Sequence, residues 1–268
     1  MMKQLRFWSM PAMFAMTLGL LFCSETHATN PTGKDGGVVP ANCNGEKICC
    51  VLNAQGIMGD VTRGLIAYYN FDDGSANNAA GMQNNGVING KHRFIDDTPN
   101  GTGKALYLDQ EAFVNVARNP LNGKESYTIS MWVKDFGAGY LFTTLGDENL
   151  NSNKSASVFV NTDGKLVYSG SWYLDSFNYG IRQIQSSGWH MITIVYQEEL
   201  IDLFVDGSLT DSQQRRYKNG GHKMQIGGRG EGQFQSSWAD PFKVDNVRVY
   251  GVALTEAEVG QLYNYERK

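Results

Sequence analysis

An all-β fold, two antiparallel sheets packed as a sandwich with one short C-terminal helix, is predicted from three observations. From Gly64 onward, short apolar or alternating runs recur, separated by Gly, Asn and Asp. Hairpin signals stand between such runs, at Thr162-Asp163-Gly164-Lys165 and at Asp206-Gly207-Ser208. Finally, GLIAYYNFDD (Gly64 to Asp73) and FKVDNVRVYGVALTEAE (Phe242 to Glu258) read as matched ends of one domain, each a bulky strand with an acid near a turn. No strand–helix–strand rhythm and no phosphate-binding glycine loop interrupts the pattern.

The elements follow in order. Strands are expected over Leu65–Phe71, Gly86–Asn89, Ala105–Leu108, Phe113–Val116, Tyr127–Val133 and Tyr140–Leu145. Others are expected over Ala156–Val160, Leu166–Ser169, His190–Tyr196, Ile201–Val205, Met224–Ile226 and Lys243–Tyr250. Thr255-Glu256-Ala257-Glu258 is a capping box, so a helix starts there and runs to about Tyr263. If the first and last strands pair, Asp72 and Asp245 approach each other. At about 4 Å and intermediate dielectric they would repel by roughly 4 kcal/mol. A divalent cation between them would turn that repulsion into a clamp.

The chain has 268 residues and a formal charge of −4, and its Lys and Arg do not form the basic stripe that nucleic acid requires. Residues 1–28 have the form of a secretion signal: Lys3 and Arg6, then an apolar run from Pro11 to Phe22, then Thr26-His27-Ala28 before a cut. The run is too short for a transmembrane span, so none is expected after signal cleavage. Leu20-Leu21-Phe22-Cys23 also resembles a bacterial lipobox that would lipidate Cys23, although Phe22 stands where that pattern has a small residue. Either route makes the product secreted, periplasmic or held at the cell surface. Cleavage after Ala28 leaves Cys43, Cys49 and Cys50, an odd number in an oxidising compartment. Cys43 could pair with Cys49 or Cys50, with the remaining thiol unpaired or bridging chains. Residues 29–63, rich in Gly, Asn and Pro, read as a flexible linker, and 64–268 as the sandwich domain.

GLIAYYNFDDG, NNGVING (Asn84–Gly90), GKALYLD (Gly103–Asp109), SYTISMWVK (Ser126–Lys134) and SGWHMITIVYQ (Ser187–Gln197) occur in that order. LFVDGSL (Leu203–Leu209), MQIGG (Met224–Gly228) and VDNVRVYGVALTEAEV (Val244–Val259) complete the series. Together they resemble the laminin-G-like jelly roll of the concanavalin A-like lectin/glucanase superfamily. The resemblance implies a jelly-roll sandwich and a structural Ca²⁺ near the meeting of the first and last strands. Carried over by position, its side-chain ligands would be Asp72, Asn84 and Asp245. Met82 departs from the small polar loop residue usual in the family.

The fold hosts lectins, glycosidases, lyases and adhesins, so activity must be argued from residues. The endoglucanase pattern Glu-x-Asp-x-x-Glu is absent, and Asp147-Glu148, Glu198-Glu199 and Asp202 lack a spacing that places two acids on one strand face. There is no G-x-S-x-G elbow, and His190 reads as a packed or hydrogen-bonded strand residue. No catalytic residue is therefore assigned. Sugar binding needs aromatic platforms beside polar partners. Trp132 and Trp189 read as core. Trp172, Tyr173 and Tyr179, with Asp175 and Arg182, and Trp238 in QFQSSWAD, are the candidate contacts. The expected function is a non-catalytic binding module for a glycan or cell-surface polysaccharide. The alternatives are a glycoside hydrolase or polysaccharide lyase on the same fold, and a protein-binding adhesin.

Overall fold

The alternating runs become strands wherever bulky residues can face a core on every second position. The computed structural model describes residues 52–53, 56–57, 61–81, 83–145, 156–169, 184, 186–214, 222–228 and 239–267. Strands β1 (Leu52–Asn53) and β2 (Gly56–Ile57) pair as a short ladder. The sandwich begins with β3 (Leu65–Tyr69), β4 (Gly86–Asn89), β5 (His92–Ile95), β6 (Ala105–Leu108), β7 (Phe113–Val116) and β8 (Tyr127–Lys134). It continues through β9 (Gly139–Leu145), β10 (Ser157–Val160), β11 (Leu166–Ser169), β12 (His190–Gln197) and β13 (Leu200–Val205). Strands β14 (Ser208–Gln214), β15 (Lys223–Ile226) and β16 (Phe242–Tyr250) follow, and α1 (Glu256–Glu266) ends the fold.

Two antiparallel sheets result. One has eight strands, ordered β14-β13-β12-β8-β16-β6-β5 with β3 also paired to β16; the other has six, ordered β11-β10-β9-β15-β7-β4. Ile129, Met131 and Val133 of β8, Ile192 and Ile194 of β12, and Val244 and Val247 of β16 meet Val114, Phe142, Val158 and Ile226 of the six-stranded sheet in one buried core. Each large side chain so buried contributes about 1.5–3 kcal/mol. The β13–β14 connection is a two-residue turn in which Asp206 and Gly207 take φ of 53° and 76°, the handedness that suits a tight hairpin.

The outer face of the eight-stranded sheet is also covered in part. Val259 and Leu262 of α1 pack with Trp132, Met191, Val195, Phe204, Tyr250 and Leu254 in a second buried cluster. This explains why β8 is buried along all but its last residue. The capping box is formed: Thr255 Oγ1 accepts from the Glu258 N–H, while Glu258 Oε2 accepts from the Thr255 N–H. Ahead of Gly64 the chain is already anchored, since the Tyr250 hydroxyl donates to the Val61 carbonyl and Arg63 pairs with Glu258.

Candidate functional site

The opening and closing strands lie side by side, with Tyr69 opposite Val247 and Tyr68 opposite Arg248. Strand β16 has two successive partners along one side, β6 over Phe242–Val244 and β3 over Val247–Tyr250. Asp245 and Asn246 fall between them, where the ladder to β8 also shifts register and Asn246 takes φ of 48°. Such a bulge re-aims side chains. Asp245 is 4% exposed, and its Oδ1 accepts from the Asn246 N–H at 2.7 Å. Burial pushes its carboxyl up to about 8; the Asn246 N–H and Arg248 oppose that rise, while Glu266 and Asp72 add to it.

Asp72 stands at the end of β3. Its Oδ1 accepts from the Lys104 N–H and its Oδ2 from the Asn70 amide, both at 2.9 Å, so it stitches β3 to the start of β6. Asn84 has φ of 63°, and its backbone carbonyl accepts from the buried Tyr69 hydroxyl at 2.7 Å. A hard cation suits the donor type at Asp245, a buried carboxylate with a single hydrogen bond among the described residues. Asp72 and Asn84 serve the fold as they stand. No group of three His, Cys, Asp or Glu poised to hold a metal occurs among the described residues.

A buried ion pair lies beside this niche. Arg248 Nε donates to Glu266 Oε1 at 2.6 Å, the Trp132 indole donates to Glu266 Oε2 at 2.8 Å, and the guanidinium sits 3.6 Å from the centroid of the Tyr68 ring. Further along the same face Asp97 collects Lys134, Lys243 and the Trp189 indole. Burial raises its carboxyl, but these donors outweigh that and hold it at about 2.

The six-stranded sheet carries a polar row across its outer face. Register aligns Val87 with Asn115, Asn115 with Gln225, Gln225 with Thr143, Thr143 with Ser157, and Ser157 with Ser169. Gln225 and Thr143 are buried, and Val87 at the edge is 63% exposed. Thr143 and Ser157 hydroxyls share a hydrogen bond of 2.7 Å, and the Gln225 amide donates to Asn115 Oδ1 at 3.4 Å. Beside this row the half-buried rings of Tyr140 and Phe159 lie 5.2 Å apart.

A family model described as the concanavalin A-like lectin/glucanases superfamily, of the Laminin_G_3 type, matches residues 108–260, more than half of the chain. The chain belongs to this superfamily. Among solved structures, this laminin-G-like chain is similar to domain 4 of AbnA, a GH43 extracellular arabinanase from Geobacillus stearothermophilus, in complex with arabinotriose. The identity is 18% and the TM-score 0.56, covering 74% of this chain and 98% of that domain. It is similar to the binding domain of Paraclostridial mosquitocidal protein 1 at 20% identity and a TM-score of 0.55, covering 76% of this chain and 53% of that one. It is also similar to botulinum neurotoxin type C, whose cell entry depends upon interaction with two ganglioside molecules, at 12% identity and a TM-score of 0.57. That match covers 76% of this chain and 52% of the toxin chain, so the laminin-G-like chain spans about half the length of both toxin structures. At these identities the likeness shows the fold. No curated protein matches the sequence.

The laminin-G-like domain thus brings Asp72 and Asp245 to neighbouring positions at one strand junction, and Asn84 to a loop fastened to β3. Trp172, Tyr173, Asp175, Tyr179, Arg182 and Trp238 lie outside the described residues, as do Cys43, Cys49 and Cys50. In sequence, Trp172 follows Ser169 by three residues and Trp238 immediately precedes Ala239, which bridges to Gly139 beside Tyr140. Trp132 is core, and Trp189 is half-buried on the outer face. His190 shares a 2.8 Å hydrogen bond with Asp206, a strand-end role. Sequence reasoning missed the Asn115–Gln225–Thr143–Ser157 row and the Arg248–Glu266 pair. No local pattern announces the row: in YLFTTL the two threonines are adjacent, and only register sets Thr143 beside Gln225. No helix among the described residues is long and apolar enough to cross a membrane.

Proposed function

We propose that this domain is a non-catalytic carbohydrate-binding module of a secreted or surface-anchored protein, stabilised by Ca²⁺ at the β3–β16 junction. The observation that carries the reading is the correspondence with the whole of the arabinanase domain solved with arabinotriose. The glycan contacts are Trp172, Tyr173, Tyr179 and Trp238 as stacking rings, with Asp175 and Arg182 as hydrogen-bonding partners. In the chain, these segments adjoin Ser169 and Ala239, which belong to the six-stranded sheet and its Gly139 end.

Binding is favoured over catalysis because many of the described carboxylates already have structural tasks. Asp97 holds two lysines, Asp206 holds His190 and the Met191 N–H, Asp240 accepts from the Ala138 N–H, and Glu266 holds Arg248. Asp245 is the side chain that would hold Ca²⁺, with Asp72 and Asn84 as its neighbours from the facing segments. Carbonyls and water would complete the about 6–8 oxygens required. The ion would supply fixed positive charge to a buried carboxylate.

Calorimetry and an array of arabino-oligosaccharides, ganglioside headgroups and bacterial polysaccharides test the reading. Saturable binding, lost in Trp172→Ala and Trp238→Ala with the melting temperature retained, is the expected result. Release of shortened sugars, seen by chromatography and abolished by changing one carboxylate, would replace it with a hydrolase or lyase. Chelation should lower the melting temperature of the wild type and leave Asp245→Asn unmoved. Export is checked by mass spectrometry of the mature N-terminus, which should find a start at Thr29, or a lipidated Cys23.

A further inference from the structure

A cleft of about 480 Å³ opens on the outer face of the eight-stranded sheet, away from the six-stranded sheet and its polar row. Its floor is aliphatic and phenyl: Val195 of β12, Phe204 of β13 and Leu254 ahead of α1 are buried beneath Leu200 and Leu209, which are 41% and 45% exposed. Apolar surface that is contiguous and rimmed by polar groups, unlike a single exposed leucine, marks a contact surface. The rim is acidic. Glu198 at the β12–β13 turn, Asp202 in mid-strand and Glu256 at the first turn of α1 border the cleft, and among the described residues no Lys, Arg or His lines it. None of these three carboxylates has an ion-pair partner among the described residues, whereas Asp97 on the same face holds two lysines.

We infer that this cleft docks a short peptide segment in which Lys or Arg alternates with aliphatic side chains. Charge complementarity selects that occupant. Cationic side chains reach Glu198, Asp202 and Glu256 while aliphatic ones cover Leu200 and Leu209. A second copy of this chain is disfavoured, because a symmetric contact sets the three carboxylates of one protomer against those of the other, in a chain of net charge −4. An anionic membrane surface is repelled for the same reason. Among the described residues a sugar has no exposed ring to stack on here, since Phe204 is 2% exposed. The inference is independent of the glycan reading, which concerns other residues.

The test is fluorescence anisotropy on the full chain with two labelled eight-residue probes, one alternating Lys and Leu, the other alternating Glu and Leu. The Lys–Leu probe should bind more tightly by about tenfold or more, and its affinity should fall as salt rises. The triple variant Glu198→Gln, Asp202→Asn, Glu256→Gln should lose about tenfold for that probe, and Leu209→Ser should weaken it with the melting temperature kept. Val87→Ser, on the other sheet, should change nothing. Equal binding of both probes, or binding untouched by the triple variant, overturns the inference. So does a dimer in sedimentation that Leu200→Ser dissolves, which would make the occupant a second copy.

Discussion

Removing Glu266 tests how the C-terminal helix is locked to the sheet. Arg248 and Glu266 are 5% and 2% exposed and joined at 2.6 Å, so Glu266→Ala strands a guanidinium out of water. Breaking one partner of a buried pair costs about 3–5 kcal/mol. The Tyr68 ring, 3.6 Å from the guanidinium, offsets up to about 2 kcal/mol of that, and the lost acceptor of the Trp132 indole adds about 1. The expected net cost is about 3 kcal/mol. For a sandwich of this size that is a melting-temperature drop of roughly 6–12 °C. Glu266→Gln, which keeps an acceptor for the indole, should cost less than Glu266→Ala. The double variant Arg248→Met, Glu266→Leu should lie within about 1 kcal/mol of wild type, because replacing both charges removes the desolvation penalty. Urea unfolding followed by tryptophan fluorescence at low and high salt measures all four, and salt should change the differences little. A cost below about 1 kcal/mol for Glu266→Ala, or a double variant no more stable than Glu266→Ala, refutes this account.

Three further outcomes are expected. Arg63 holds the Glu258 carboxyl at about 2, with burial opposing and the Thr255 cap assisting. Its folded value is depressed, so its contribution is present above about 4.5 and is lost as pH falls toward 2. The drop corresponds to at most about 3 kcal/mol, and solvent around Arg63, 46% exposed, reduces this to about 1–2 kcal/mol. The stability gap between wild type and Glu258→Gln should therefore close between pH 5 and 2, and a constant gap would contradict it. Gly103 has φ of 76° and an added Cβ would overlap the Asp72 carboxylate, so Gly103→Ala should cost about 2–3 kcal/mol in urea unfolding. The β12–β13 turn places Glu198 and Glu199 at φ of 50° and 67°, positions that favour Asn and Gly. Exchanging them for Asn-Gly should raise stability by about 1–2 kcal/mol. It should also weaken the Lys–Leu probe, and a variant no more stable than wild type would show that the turn carries no strain.

The strands most legible in the sequence are those whose two faces differ. β4, β6, β7 and β11 have the expected bounds because Gly, Asn or Asp brackets short runs with apolar residues on the core face. β14 was missed because SLTDSQQ is polar on both faces; the Asp206–Gly207 turn, rather than its side chains, brings it against β13. β5 was missed because His92 and Arg93 are exposed and the strand is a sheet edge. α1 was found through its capping box, yet it runs on to Glu266, whose burial against Arg248 no local pattern announces. The pairing of the first and last strands was expected from their matched form, each a bulky strand with an acid near a turn, and β3 does pair with β16. The polar row was invisible because Asn115 and Gln225 are neighbours only through register between strands far apart in the chain.

The geometry of α1 also explains why its side of the sandwich has room for a partner. Eleven helical residues span about 16 Å. Seven strands side by side span about 29 Å. The helix covers the outer faces around Trp132, Met191 and Tyr250 and leaves both flanks to other solutions. Toward β16 and β6 the flank is closed by charge: Lys134 and Lys243 lay their stems over the sheet and end on Asp97, with Asp135 on the far side of Lys243. Toward β13 and β14, Glu198, Asp202 and Glu256 have no ion-pair partner among the described residues, and Leu200 and Leu209 stand exposed between them. A surface selected only for solubility would favour the first arrangement on both flanks, since lysine stems hide apolar area and their heads neutralise acids. The difference between the two flanks is what a docking role for the second one requires.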